Sequence, residues 1–487
     1  MLVVVLLSLA AQAGYAQIVG SKSFTESVIL GEVAAQYLDE SGLIAEHRAQ
    51  LGGSRVLWEA LLRGDIDVYP EYSGTLRLEL LAEYAPADEA AVDSILATLG
   101  LWRTASLGFN NTYALGMRAE QAERLGITAI SDLVRHPELR FGFGNEFMDR
   151  EDGWPGLRAH YSLPHSNVRG LDHDLAYRGL VSGDLDVMDL YSTDAEIAYY
   201  DLRALVDDRT YFTDYDAFLL ARLDLPEAAQ TSLRQLEGHL PEAAIMHLNG
   251  QVKLDGQTEA HVAVQWLNAT FGAARVAEAP GLMQRVAQTT REHLILVGWS
   301  LLAAILLAVP LGIVAAKRPK IGAAILGVVG VLYTIPSLAL LVFMIPLLGV
   351  GGPPAMVALF LYSLLPIVRN THAGLIAVSP PLVDAAKALG LPPRVRLLKV
   401  ELPLASQSIL AGIQTAAVIN IGTATLGALI GAGGYGQPIL TGIRLDDTGL
   451  ILEGAIPAAV LAVLAQACVA GLGRIFIPKG LRLNSSH

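Results

Sequence analysis

The stretch PPLVDAAKALGLPPRVRLLKVELPL, residues 380–404, sits between two long apolar segments in a region otherwise almost free of charge. Leu382, Ala385, Ala386 and Leu389 recur at helical spacing. Gly390, Pro392 and Pro393 then force a turn, after which a second short helix can follow. Gly390 permits the tight turn because it carries no side chain. Leu402 and Pro403 mark the point where the next apolar segment begins. Lys387, Arg394, Arg396 and Lys399 make the stretch basic.

Apolar runs of the ~20 residues needed to cross a bilayer occur five times after Glu292. They lie at roughly 293–316, 321–347, 354–376, 406–431 and 449–473. The run at 321–350 holds Pro336 and Pro346, and reads either as one long tilted span or as one and a half. The first linker carries Lys317, Arg318 and Lys320, and the second, 349–354, carries no charge. The third is the basic stretch itself; the fourth sets Arg444 against Asp446 and Asp447; the tail holds Arg474, Lys479 and Arg482. Positive charge therefore fills the first and third linkers and the tail, which places these on the cytoplasmic side and the N-terminus outside.

The remainder of the chain is of another kind. From Gly281 onward 14 Lys/Arg stand against 6 Asp/Glu, a balance of +8, so the formal −13 of the 487 residues leaves −21 for the first 280. Acidity on that scale argues against a nucleic-acid partner. A mean hydropathy of +0.44 is too high for a wholly soluble protein. Short β-like runs alternate with helical ones over residues 18–280, as in QIVGSKSF, DIDVYP, TYALGMR, RFGFG and DLDVMDLY, the pattern of an α/β domain with parallel strands. The opening MLVVVLLSLAAQAGYAQ is too short to span and ends in small residues, so residues 1–16 read as a signal peptide or N-terminal anchor that exports Gln17 onward. The single cysteine, Cys468, excludes an intrachain disulfide, and no zinc ligand cluster is present. No Gly-x-x-x-x-Gly-Lys-Ser/Thr occurs, so ATP and its Mg ion must be handled by another polypeptide. No catalytic set stands out.

Asp384-Ala385-Ala386, three residues, Gly390, nine residues, Val400, one residue and Leu402-Pro403 resemble the cytoplasmic coupling loop of ABC importer permeases, with Asp for Glu and Val for Ile. The string NIGTATLGALIGAGGYGQPILTGI (420–443) resembles permeases of the glycine betaine/carnitine/choline importers. GSKSFTES (20–27), GDIDVYPEYSGT (64–75), NNTYALGMR (110–118), NEFMDREDGW (145–154), LYSTDAEI (190–197) and DDRTYFTDYDAF (207–218) resemble the binding proteins of the same importers. The resemblance implies a two-domain chain. A type II, two-lobed α/β binding domain (17–275) is followed by a tether (276–292), an all-α transmembrane permease (293–475, about five helices, coupling loop 380–404) and a cytoplasmic tail (476–487).

A trimethylammonium group has a diffuse charge and no hydrogen-bond donor, so aromatic faces hold it, at about 2 kcal/mol or more per desolvated ring. In the family that cage is made of tyrosines from both lobes, and the matching positions are Tyr72, Tyr113, Tyr191 and Tyr215. Arg150 matches the position that can clamp a ligand carboxylate; the alternative is a structural salt bridge with Asp149, Asp152 or Asp194. Thr75 is a donor to the same carboxylate or to a choline hydroxyl. Asn111 stands where some relatives carry Asp, and Lys22, Phe24, Thr25 and Glu26 line the first strand-to-helix turn. The resemblance further implies a separate ATPase dimer, a second copy of this chain, and residence in a bacterial or archaeal cytoplasmic membrane. Two rival readings are an importer of another betaine-like solute such as ergothioneine, and a membrane-anchored solute sensor.

Overall fold

The computed structural model describes residues 16–272, 281–445 and 447–476. Most of the expected signal segment and of the tail, and residues 276–280 of the tether, lie outside these. Two compact units divide the chain near Pro280.

In the first unit the strands are β1 (Gln17–Gly20), β2 (Ala45–Arg48), β3 (Val68–Tyr72), β4 (Leu101–Arg103), β5 (Tyr113–Arg118), β6 (Phe141–Gly144), β7 (Val168–Leu171), β8 (Met188–Tyr191), β9 (Leu202–Ala204) and β10 (Ala217–Arg222). One sheet runs β2-β1-β3-β10-β4; β1 is parallel to β2 and β3, and β10 is antiparallel to β3 and β4. The other strands repeat that plan. β7 and β6 are parallel, Phe141 of β6 bridges Val187 beside β8 in parallel, and β5 is antiparallel to β8 and β9. Each sheet is the floor of one lobe. The chain crosses between lobes at 104–112 and again at 205–216, and the two crossovers are bonded to each other, Asn111 N donating to Tyr215 O at 3.0 Å and Ala217 N to Phe109 O at 3.2 Å.

Helix α1 (Thr25–Glu40) follows β1 and buries Ile29, Leu30, Ala34 and Leu38, each of the larger ones contributing about 1.5–3 kcal/mol. Helix α2 (Ser54–Arg63) closes the next crossover and ends at Gly64 in the left-handed conformation. The second lobe adds α3 (Asn145–Asp149) after β6 and α4 (His173–Ser182) after β7. After β10 the chain returns to the first lobe as α5 (Glu242–Lys253) and α6 (Glu259–Phe271), where Phe271 packs on Tyr37 with ring centroids 4.9 Å apart.

The second unit is helical. It comprises α7 (Leu282–Lys317), α8 (Pro319–Thr334), α9 (Ser337–Leu348), α10 (Gly352–Ile376), α11 (Pro380–Ala388), α12 (Pro393–Arg396), α13 (Leu402–Ala424), α14 (Gly436–Arg444) and α15 (Thr448–Phe476). Residues 282–292, assigned to the tether, are the first three turns of α7. Among the described residues four helical stretches are long and apolar enough to cross a membrane, or five if α8 and α9 together make one. The 321–347 run is not one continuous span: α8 and α9 meet at 96°. Pro336 supplies no amide hydrogen and drives Ile335 to φ −66°, ψ 127°, out of the helical region. The Tyr362 hydroxyl takes up the freed Ile335 carbonyl.

Small residues bring α10 against its neighbours. A Cβ on Gly412 would stand 2.7 Å from Asn370 Cβ, and one on Gly312 2.5 Å from Thr371 Cβ. Without a hydrophobic driving force between spans, such close backbone approach supplies the packing.

The basic stretch forms α11 and α12. Leu391 N donates to Ala386 O (3.2 Å) and Gly390 N to Lys387 O (2.9 Å), with Gly390 at φ +73°, which is a Schellman end. The second short helix does not stand apart. From Pro393 the chain runs through a π-turn at 397–401 directly into α13. The wider turn absorbs the missing donor of Pro403 at the start of α13. Glu401, buried, is held by Lys317 and by Arg396 (3.2 Å). Leu382 and Leu389, which share a helical spacing with Ala386, are 49% and 79% exposed.

Candidate functional site

The site is assembled at the ends of strands and on the crossovers. Tyr72 is the last residue of β3, Tyr113 the first of β5 and Tyr191 the last of β8, while Tyr215 lies on the second crossover. Tyr113 and Tyr191 are register partners, so their rings fall side by side with centroids 5.3 Å apart. Tyr215 stands edge-on to Tyr113, also at 5.3 Å. Phe24, from the β1–α1 turn, bridges Tyr72 (6.1 Å) and Tyr191 (5.7 Å). Gly74 makes room for Tyr215, since a Cβ there would sit 2.4 Å from Tyr215 Cε1.

A small cavity is lined by all four tyrosines together with Phe24, Thr75, Asn111, Lys22 and Glu146. Thr25 is not among these. It is buried at the start of α1 and faces a smaller neighbouring space shared by Phe24, Glu26 and Asn111.

Arg150 is also outside the cavity wall. Its Nε and Nη2 hold Asp152 at 2.8 and 2.5 Å, and its Nη1 donates to Thr75 Oγ1 (3.1 Å) and Glu79 Oε2 (2.8 Å). Four of its five N–H groups are thus taken. Of the two expectations for Arg150, the salt bridge with Asp152 is the one present here, and the physical reason is proximity: the extended backbone at Arg150 (φ −79°, ψ 143°) sets the two side chains side by side. Burial weighs against the charge of Arg150, yet the bonds to Asp152 keep it firmly protonated. Burial pushes Asp152 up, and Arg150 pulls it below the usual carboxylate range.

The sequence underrated the polar groups behind the rings. Glu26 is buried and accepts four hydrogen bonds: from the Tyr72 hydroxyl (2.7 Å), Asn111 Nδ2 (2.9 Å), Thr193 Oγ1 (2.5 Å) and Asn249 Nδ2 (3.1 Å). Burial raises its carboxyl, with Thr193, Tyr72 and Asn249 pulling the other way. Burial and then Glu26 push the Tyr72 phenol well up, so it stays a donor. Lys22, buried, is 2.5 Å from Glu71 and lies 5.2 Å from the centre of the Tyr72 ring. His173, for which the sequence carried no signal, lies 4.4 Å from the Tyr191 ring. Burial lowers it, but Asp189 and Asp194 outweigh that and hold it well above the ordinary histidine value. Asp194 in turn accepts from Tyr191 N (2.9 Å) and the Tyr177 hydroxyl (2.6 Å). Glu146 is the remaining addition; it lay within the string 145–154 without being singled out.

Comparison with known proteins covers both units. Residues 18–269 match the family described as substrate binding domain of ABC-type glycine betaine transport system, and residues 308–480 match binding-protein-dependent transport system inner membrane component. The choline transport system permease protein OpuBB of Bacillus subtilis strain 168 is 42% identical over 193 residues, 40% of this chain and 89% of that protein. The osmoprotectant import permease protein OsmW of Salmonella typhimurium strain LT2 is 41% identical over 202 residues, 40% of this chain and 94% of its own. A crystal structure of a glycine betaine/carnitine/choline ABC transporter is 29% identical, covers 52% of this chain and 98% of its own, and has a TM-score of 0.45. The chain belongs to the ABC-type glycine betaine importer family, with the substrate-binding domain and the inner-membrane permease carried on one polypeptide.

Proposed function

We propose that this chain is the receptor and the permease of an ATP-driven importer of quaternary ammonium solutes such as glycine betaine, choline or carnitine. The observation that carries the reading is the gathering of Tyr72, Tyr113, Tyr191 and Tyr215 around one cavity. A methylated ammonium group needs aromatic faces on several sides and exclusion of water, and those four rings offer both. Thr75 in the same wall can donate to a ligand carboxylate or to a choline hydroxyl, while the Lys22 ammonium is paired with Glu71.

Transport would follow by alternating access. The liganded lobes close and dock outside, and a separate ATPase dimer engages the 380–404 loop inside. Two copies of this chain form the pathway. The exposed Leu382 and Leu389 on that loop support docking, because they are apolar side chains without cover on a basic, rigid helix end. The basic linkers support a cytoplasmic loop and a binding domain outside a bacterial or archaeal cytoplasmic membrane. Carrying the receptor on the permease raises its local concentration.

The test is calorimetric titration of the full chain in nanodiscs with glycine betaine, choline, carnitine and ergothioneine. Tight binding of one of the first three supports the reading. Binding of ergothioneine alone moves the substrate class, and no binding by the folded chain removes the cage.

A further inference from the structure

We propose that Glu26 is the specificity-determining charge of the site, making the aromatic cavity select cations over neutral isosteres by acting through the Tyr72 hydroxyl. The inference rests on the cage reading above and adds to it a residue that does not line the cage cavity itself.

Most carboxylates around the rings have a cationic partner. Glu71 is matched by Lys22 at 2.5 Å, and Glu79 and Asp152 by Arg150 at 2.8 and 2.5 Å. Asp189 and Asp194 face His173 at 3.3 and 3.2 Å. Glu146 is half-buried, so water screens it. Glu26 differs from all of these. It is 3% exposed, and among the described residues no lysine, arginine or histidine pairs with it. It is instead surrounded by neutral donors, two on each carboxylate oxygen, from Tyr72 and Asn111 and from Thr193 and Asn249.

Two amides and two hydroxyls directed at its two oxygens match the acceptor capacity of a carboxylate. A negative charge set in low dielectric without a counterion attracts a cation brought near it, and does nothing for a neutral guest of the same shape. The link to the cage is the 2.7 Å bond from the Tyr72 hydroxyl. A phenol donating to a carboxylate carries more electron density on its ring, and the face of that ring is what a quaternary ammonium group meets. Tyr215 also donates to a carboxylate, Asp152 at 2.5 Å, but Arg150 neutralises that one. Asn111, where an acid would add a second charge, is neutral and spends its amide on Glu26.

The test uses the full chain in nanodiscs and two ligands of one shape, choline and its neutral carbon isostere 3,3-dimethyl-1-butanol. Wild type, Glu26→Gln and Tyr72→Phe are compared, with thermal midpoints recorded to separate binding from folding. The expected result is a choline-to-isostere affinity ratio that falls at least tenfold in both variants, with the isostere's own affinity little changed. Should Glu26→Gln fail to fold, Tyr72→Phe alone decides, since it keeps the charge and the ring and severs only the link. An unchanged ratio in a folded variant overturns the inference and leaves the cage standing. A wild type that binds both ligands equally, or that binds neither of them nor glycine betaine or carnitine, overturns the inference and the cage reading together.

Discussion

Tyr113 and Tyr191 are opposite one another in the β5–β8 pair, and their rings lie 5.3 Å apart at the lip of the second lobe. Strand register, not loop conformation, therefore sets their spacing. Tyr113→Ala or Tyr191→Ala is expected to weaken quaternary ammonium binding at least thirtyfold, the equivalent of about 2 kcal/mol for one desolvated ring. Calorimetric titration alongside a thermal melt checks it; unchanged affinity in both would remove these rings from the site.

Arg150 ties the second lobe to Thr75 and Glu79 of the first. Arg150→Met takes the shared cation from the half-buried Asp152 and Glu79, which keep the Tyr215 hydroxyl and Arg55 respectively. The loss should therefore fall below the about 3–5 kcal/mol of breaking a fully buried pair. Adding Asp152→Asn should recover a substantial part of the loss. Urea denaturation of the single and double variants measures the coupling, and strict additivity would show that the pair is not a unit.

Gly390 sits at φ +73° with no atom within 4 Å of an added Cβ, so a substitution there meets strain and no clash. Gly390→Val is expected to cost about 1 kcal/mol locally and to spoil the end of α11. Ligand affinity should stay at the wild-type value while ATP-driven uptake in proteoliposomes falls at least tenfold. Full uptake by this variant would detach the 380–404 loop from coupling.

Asp186 carries a pH dependence. Burial raises its carboxyl, but Arg140 and Gln121 outweigh burial and hold it at about 2, below its ordinary 3.8. A depressed carboxyl stabilises the fold above its unfolded pKa and loses that contribution as pH falls towards the folded one. Wild type should therefore lose stability between about pH 4 and pH 2. Asp186→Asn should lose less over that window, and chemical denaturation at the two pH values compares them.

Much of this protein was set by local sequence. Apolar runs of span length and basic linkers specify oriented membrane-spanning helices because bilayer thickness and backbone hydrogen bonding leave few alternatives. Gly390 and the flanking prolines specify a helix end because only a left-handed residue closes one that way. The four tyrosines were visible as members of separate strings. What tertiary structure decided was whose charges meet. Arg150 lies two residues from Asp152 and far in sequence from Glu79, and folding joins all three. Glu26 gathers donors from positions 72, 111, 193 and 249, an assembly that no spacing announces. The break at Pro336 was visible as a residue, but its 96° angle was not, because a proline fixes where a helix must end and the packing around it fixes where the chain goes next.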